Sequence, residues 1–212
     1  MTSDVEFHCR CGEVRGRVKN ASPGTTNHLV CYCDDCQAYL HHLARADLLD
    51  AHGGTDIVQV APASVSFDRG ADRVVGLRLT PKGLYRWYAS CCRTPLGNTL
   101  GPGLPFVGIV AQAFDGGEGR RADDVFGKPA AGGWHKYAVG TLPDGSARVG
   151  VRHIARALRL MLGWKLRGQT WPHPYFDRAT RKPSRPVSVL SPAERDALRP
   201  LCGPRGAAVN KP

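Results

Sequence analysis

Residues 28–37 read HLVCYCDDCQ and set Cys31, Cys33 and Cys36 within six positions. Three thiols this close can hold a metal, form a disulfide or act as a redox pair. Zinc takes four tetrahedral ligands, and a C-x-C-x2-C run supplies three from one turn. A three-ligand ion keeps its fourth position for water or substrate, which marks a catalytic rather than a structural site. A redox C-x-x-C at Cys33–Cys36 belongs in a βαβ setting, whereas this chain reads as β-meanders. Inert buried cysteines occur singly, not in tight groups. Metal binding therefore ranks ahead of redox chemistry, and redox chemistry ahead of packing.

Two further clusters flank this one. Cys9-Arg-Cys11-Gly12 lies upstream, and Ser90-Cys91-Cys92-Arg93 downstream. A C-x-C turn closed by glycine aims two sulfurs at one point. Cys202 stands alone in a Pro/Gly segment and reads as a packing residue.

Outward from these clusters the chain reads mostly as strands. VEFHCRCGEVRGRVKN (5–20) predicts a strand, a turn at Gly12 and a second strand. Residues 28–36 enter the cysteine run from a short strand, and AYLHHLARADLLD (38–50) suits a short helix. DIVQVAP, SVSFDR, VVGLRLT and YRWYASC are short alternating runs punctuated by Pro or Gly. PFVGIVAQAF (105–114) is continuously apolar, as a central strand would be. Residues 115–147 read as extended connections. VRHIARALRLMLGW (151–164) switches to helical spacing, with Val151, Ile154, Leu158 and Met161 on one stripe and Arg152, Arg156 and Arg159 on another. The expectation is a surface helix packed on its own sheet with arginines in water. SPAERDALR (191–199) carries a capping box, with Ser191 as N-cap and Glu194 three residues on.

Charge divides the chain in two. Residues 1–147 hold 15 Lys+Arg and 15 Asp+Glu, and residues 148–212 hold 14 and 3, so the whole net charge of +11 sits in the last third. Such a segment attracts nucleic acid, an anionic surface or an acidic partner, or is simply solvated. No run approaches the roughly 20 apolar residues of a membrane helix, and MTSDVEFHC has neither the apolar core nor the cleavage site of a signal peptide. The expected location is the cytoplasm, where clustered cysteines indicate metal or thiol chemistry before disulfides.

The order C-x-C-G, about twenty residues, C-x-C-x2-C-Q, several strands, then an aromatic segment closing on C-x-T-P-L resembles the glutathione-dependent formaldehyde-activating enzyme family, which includes centromere protein V. The resemblance spans roughly residues 5–115. It implies a mostly β fold, a zinc-stabilised antiparallel β-tent of the Mss4-like type, here over residues 4–147 with a basic helical and Pro-rich extension over 148–212. It implies one structural zinc on Cys9, Cys11 and a later C-x-x-C knuckle, and a second zinc on Cys31, Cys33 and Cys36. It further implies carbon–sulfur lyase chemistry on S-hydroxymethylglutathione or a related thiol adduct. This chain departs from the pattern at the knuckle. In RWYASCCRTPL, Cys92 aligns with the second knuckle cysteine, Ala89 replaces the first and Arg93 replaces the glycine. Cys91 serves as fourth ligand only through a strained turn, because adjacent side chains diverge in extended backbone. The other outcomes are three thiolates plus water or His8, or a weak site. Arg93 next to the cluster favours thiolates at Cys91 or Cys92.

Asp34, Asp35, His41 and His42 are the nearest proton carriers, each equally an ordinary surface residue, and the two aspartates are also candidate helix caps. The competing function is a non-catalytic binding module whose zinc holds the fold and whose basic tail meets nucleic acid or another anion. A third reading has the tail helix forming a homodimer.

Overall fold

The computed structural model describes residues 2–114 and 121–204. The first strand pair, β1 (Ser3–His8) and β2 (Arg15–Ala21), is antiparallel and joins β5 (Val65–Arg69) in a three-stranded sheet ordered β1-β2-β5. Val5, Phe7 and Cys9 follow the expected parity into the core, but Cys11 leaves it and is exposed. The turn between β1 and β2 bonds Gly12 N to Cys9 O, and it needs Gly12 at φ +76°.

The larger sheet contains β3 (Asn27–Cys31), β4 (Thr55–Val60), β6 (Val74–Arg78), β7 (Tyr85–Ala89), β8 (Pro95–Thr99), β9 (Val107–Val110), β10 (Gly132–Gly133) and β11 (Val187–Val189). Its order is β10-β3-β4-β9-β8-β7-β6-β11. The six inner strands pair antiparallel, and the two short edge strands, β10 and β11, pair parallel. The mostly β expectation holds, with the apolar run at 105–114 supplying the interior strand β9.

Alternation splits the side chains between two cores. On one face Val74, Trp87, Leu96, Val107 and Ile109 meet Val5, Phe7, Val14 and Val18 of the small sheet. On the other, Leu77 and Val110 meet Tyr39, Leu40 and Leu43 of helix α1 (Asp34–His42). That helix begins four residues earlier than the predicted 38–50, inside the cysteine run itself, and ends near Ala44, which has φ +52°. Residues 115–147, expected as plain connections, contain helix α2 (Ala122–Phe126) and β10; residues 115–120 lie outside the described residues.

The C-terminal segment packs on this body, and its residues 205–212 lie outside the described part. Helix α3 (Val151–Leu166) is held by Arg156, which donates to the carbonyls of Pro23 and Thr26. Beyond it, Tyr175 stacks on Trp87 with centroids 4.7 Å apart and donates its hydroxyl to Leu96 O at 2.8 Å. Gly97 makes that stack possible, because a Cβ there would fall 2.4 Å from the Tyr175 hydroxyl. Phe176 and Trp164 are also buried. Helix α4 (Pro192–Leu198) carries the predicted capping box, with Glu194 N donating to Ser191 Oγ at 3.2 Å. One expectation for the tail holds only at the end of α3: Met161 packs against Ala61, Phe106 and Trp164, but the rest of its apolar stripe does not pack. Val151, Ile154 and Leu158 are 83%, 50% and 61% exposed. No helix among the described residues is long and apolar enough to cross a membrane.

Because Tyr175 is fully buried in a stack with Trp87, its removal should act as a core deletion. Tyr175→Ala is expected to lower the unfolding free energy by about 3–5 kcal/mol, whereas Lys165→Ala on exposed α3 should change it by less than about 0.5 kcal/mol. Urea titrations of the two variants check this.

Candidate metal centre

The structure gathers the cysteines into two separate groups. Cys9, Cys11, Cys91 and Cys92 bring all four sulfurs within 4.8 Å of one another, as do Cys31, Cys33 and Cys36 with three. All eight cysteines are free thiols. Sulfur–sulfur distances are 3.5 Å for Cys9–Cys11, 3.3 Å for Cys11–Cys91, 3.9 Å for Cys9–Cys91 and 3.3 Å for Cys31–Cys33. A disulfide needs about 2.05 Å. A tetrahedral ion with Zn–S bonds of about 2.3 Å sets its sulfurs about 3.8 Å apart. Both groups fit a metal by this measure, and both can hold one.

In the four-sulfur group, adjacent Cys91 and Cys92 both reach the cluster, which extended backbone would forbid. The backbone is not extended there. A bulge shifts the register between Trp87 and Tyr88, and Arg93 takes φ +57°. Arg93 N then bonds Ala89 O at 2.8 Å, and Ala89 N bonds Thr94 O at 2.9 Å. The arginine thus adopts the left-handed conformation that a glycine would take more cheaply, at roughly 1–2 kcal/mol. Burial works against the Cys92 thiolate, but the Thr94 hydroxyl and the Cys11 N–H outweigh it and bring this thiol down to about 6. His8 is not a member of the group; its Nδ1 lies 3.0 Å from Cys9 O.

The three-sulfur group is built on the start of α1. Cys33 is the helix N-cap, its sulfur accepting from Cys36 N at 3.4 Å. The aspartates are therefore not the cap. They fill the first turn, where the helix dipole favours negative charge. Asp34 pairs with Arg199. His41 and His42 lie at the opposite end of α1, in its last turn. The hydrogen bonds from Cys31 and Cys33 hold the Cys36 thiol well below its ordinary range, against the opposing effect of burial, and Arg86 adds to the shift.

Three residues acquire roles that the sequence reading did not assign. Arg86, on β7, is 1% exposed; its Nη1 lies 3.7 Å from Cys36 Sγ and 3.3 Å from Asn98 Oδ1, and its guanidinium sits 5.1 Å over the Tyr39 ring. Its Nη2 has no partner among the described residues. Gln37, the Q of C-x2-C-Q, is fully buried. It donates to Tyr32 O at 2.8 Å and Tyr137 O at 2.9 Å and accepts from Gly203 N at 2.7 Å, tying the cysteine run to two later segments. His28 places Nε2 2.6 Å from Asp56 Oδ1 and Nδ1 2.5 Å from Gly127 O. Both ring nitrogens face acceptors, so the imidazolium form satisfies both. A metal on His28, Asp56 and Asp123 would have to displace one of these bonds.

The three-sulfur group and Arg86 line a cleft of about 560 Å³. Its other walls are Leu29, Ile57, Phe106 and Trp134, and the face of α3 with Ile154, Leu158 and Met161. Asp34 and Asp35 also line it, whereas His41, His42 and the four-sulfur group do not. Cys202 belongs to neither group and lies 3.6 Å from Asp34 O.

These features define a mostly β protein with two thiol clusters, one closed and one opening on a cleft. The chain belongs to the family of unknown function DUF6151, whose model matches residues 1–188 and so includes α3 and about half of the segment after it. No curated protein matches the chain. A crystal structure of a Rhodobacter sphaeroides protein from structural genomics is 14% identical, aligning over 52% of this chain and 88% of its own with a TM-score of 0.38.

Two expectations follow. Arg93→Gly should preserve the turn and raise stability by about 0.5–1 kcal/mol, while Arg93→Val should lower it by more than 1 kcal/mol; denaturant midpoints report both. His28 should titrate above its ordinary 6.5, because its bonds to Asp56 and Gly127 outweigh a large opposing burial effect. A raised folded-state value means the pair stabilises the fold fully below pH about 6.5 and loses that contribution as pH rises through the raised value. An imidazole NMR titration checks the shift, and loss of the effect in Asp56→Asn checks its cause.

Proposed function

We propose that the three-sulfur group is the working centre of a zinc-dependent enzyme that makes or breaks a carbon–sulfur bond in a thiol adduct. The four-sulfur group is a structural zinc site. The observation that carries this reading is the difference between the two clusters: four converging sulfurs leave no protein-free corner, whereas three sulfurs on a cleft do. The resemblance of the C-x-C-G and C-x-C-x2-C-Q motifs to the formaldehyde-activating family supports the same chemistry.

Cys31, Cys33 and Cys36 would hold the ion, and Cys9, Cys11, Cys91 and Cys92 the structural one. A bound zinc supplies a Lewis acid that polarises a sulfur or oxygen of the adduct. The chain's own residues prepare the site. The α1 N-terminus and the buried Arg86 cation both favour thiolates over thiols at this position. Three thiolates and one divalent cation leave a net charge of −1, which the Arg86 guanidinium balances. Such a centre suits exchange of a substrate thiolate better than generation of hydroxide. Asp35 lines the cleft beside the sulfurs and is the nearest carboxylate to carry a proton; Asp34 is held by Arg199.

We place residues 4–147 as the metal-binding domain and 148–204 as a segment that completes its core and its cleft. Arg156, Arg185 and Arg199 of that segment are engaged with loop carbonyls or Asp34. These three are thus held in structural contacts, while Arg152, Arg159 and Lys165 remain exposed.

Metal analysis of the purified protein is expected to give two equivalents of zinc, falling to one in Cys31→Ser and to one in Cys9→Ser. Turnover of an S-hydroxymethyl thiol adduct should vanish in Cys31→Ser. Two equivalents retained in Cys31→Ser would end the proposal.

A further inference from the structure

The chemistry of the cleft restricts what can reach the three sulfurs. The lining is mostly apolar, with Leu29, Ile57, Leu84, Phe106, Ile154 and Leu158 among its walls, and its polar members include Asn27, Gln59, Asp34 and Asp35. The cleft's volume of about 560 Å³ falls within the range that encloses a small organic ligand. Arg86 is 1% exposed, lines the cleft, and its Nη2 lacks a partner among the described residues, whereas both ring nitrogens of His28, the other buried base in the lining, already face acceptors. A buried guanidinium N–H without an acceptor is costly, so this geometry favours a ligand that brings an anionic or acceptor atom to it.

Glutathione is a poor match to this shape. It carries two carboxylates and an ammonium, whereas most of the lining is apolar and the charged groups in it are few, with Asp34 paired to Arg199, His28 to Asp56, and Arg86 facing Cys36. The walls instead match a hydrocarbon chain or ring. The stripe of α3 supplies part of that surface, and this accounts for Ile154 and Leu158 staying 50% and 61% exposed on an otherwise ordinary amphipathic helix.

We infer that the ligand of this cleft is a lipophilic thiol or its carbonyl adduct, with its hydrocarbon body along α3 and its sulfur or oxygen head between the Cys31, Cys33 and Cys36 sulfurs and Arg86. The position of the head rests on the metal reading above; the lipophilic body does not. The sequence RGAAVNKP (205–212) has too few apolar residues to be the occupant itself.

Calorimetric titration of hexanethiol and of glutathione into the zinc-loaded full chain tests this. Hexanethiol is expected to bind at least tenfold more tightly than glutathione. Leu158→Asp, on the exposed face of α3 where folding is not at risk, should weaken hexanethiol at least tenfold. Arg86→Gln should weaken it as well, with Arg86→Lys recovering part of the affinity. Cys31→Ser should weaken hexanethiol but leave hexanoate, whose carboxylate can pair with Arg86, bound as before. Unchanged hexanethiol affinity in Cys31→Ser together with a loss in Leu158→Asp would overturn the metal-bound head and keep the lipophilic body. Glutathione binding as tightly as hexanethiol, or Leu158→Asp without effect, would overturn the inference outright. So would a dimer in sedimentation that Leu158→Asp dissociates, since a second copy would then fill the cleft.

Discussion

A guanidinium enclosed within a β-sheet cannot shed its charge and must be balanced where it stands. Arg86 is in that position, under α1, with Asn98 and the Tyr39 ring on its flanks and a cysteine sulfur as the only neighbour able to carry negative charge among its hydrogen-bond partners. The cation and a thiolate at Cys36 therefore stabilise each other, while the same crowding of sulfurs pushes the Cys31 and Cys33 thiols up. Gln37 fixes this arrangement mechanically by joining the cysteine run to Tyr137 and Gly203.

The two thiol clusters show how one ligand chemistry yields two roles. Near β1 and the β7–β8 turn, a left-handed Arg93 folds the chain tightly enough for Cys91 and Cys92 to converge with Cys9 and Cys11. That group lies apart from the cleft. At the start of α1, three sulfurs face inward to apolar walls and no fourth protein donor joins them among the described residues. The tail contributes to the second environment. Its helix α3 forms a wall of the cleft, while Tyr175 and Phe176 complete the main core behind it.

Much of this was legible in residue order. Alternation gave most strands, the capping box gave α4, and cysteine spacing marked both thiol groups. Strand β8 was not legible because Pro95 and Gly97 break the pattern of a strand, and only the Tyr175 ring lying over Gly97 explains the glycine. The start of α1 was hidden because its cap is a cysteine sulfur in place of a hydroxyl or carboxylate. Cys91 and Cys92 could be joint partners only through a strained turn, and residue order did not show that a positive φ at Arg93 supplies it. Arg86 carried a faint signal, a lone charge between Tyr85 and Trp87. Periodicity assigns such a residue to solvent, and only the helix covering that face of the sheet buries it. The stripe on α3 was read correctly as apolar, but sequence cannot distinguish a face that packs from one that lines a cleft.

The most direct test is anomalous diffraction at the zinc edge from crystals of the full chain grown with zinc. The account predicts a peak bonded to Cys31, Cys33 and Cys36 at about 2.3 Å, with its fourth ligand a non-protein atom on the cleft side near Arg86. A second peak belongs among Cys9, Cys11, Cys91 and Cys92. No density among the three sulfurs, or a fourth protein ligand closing that site, would contradict it.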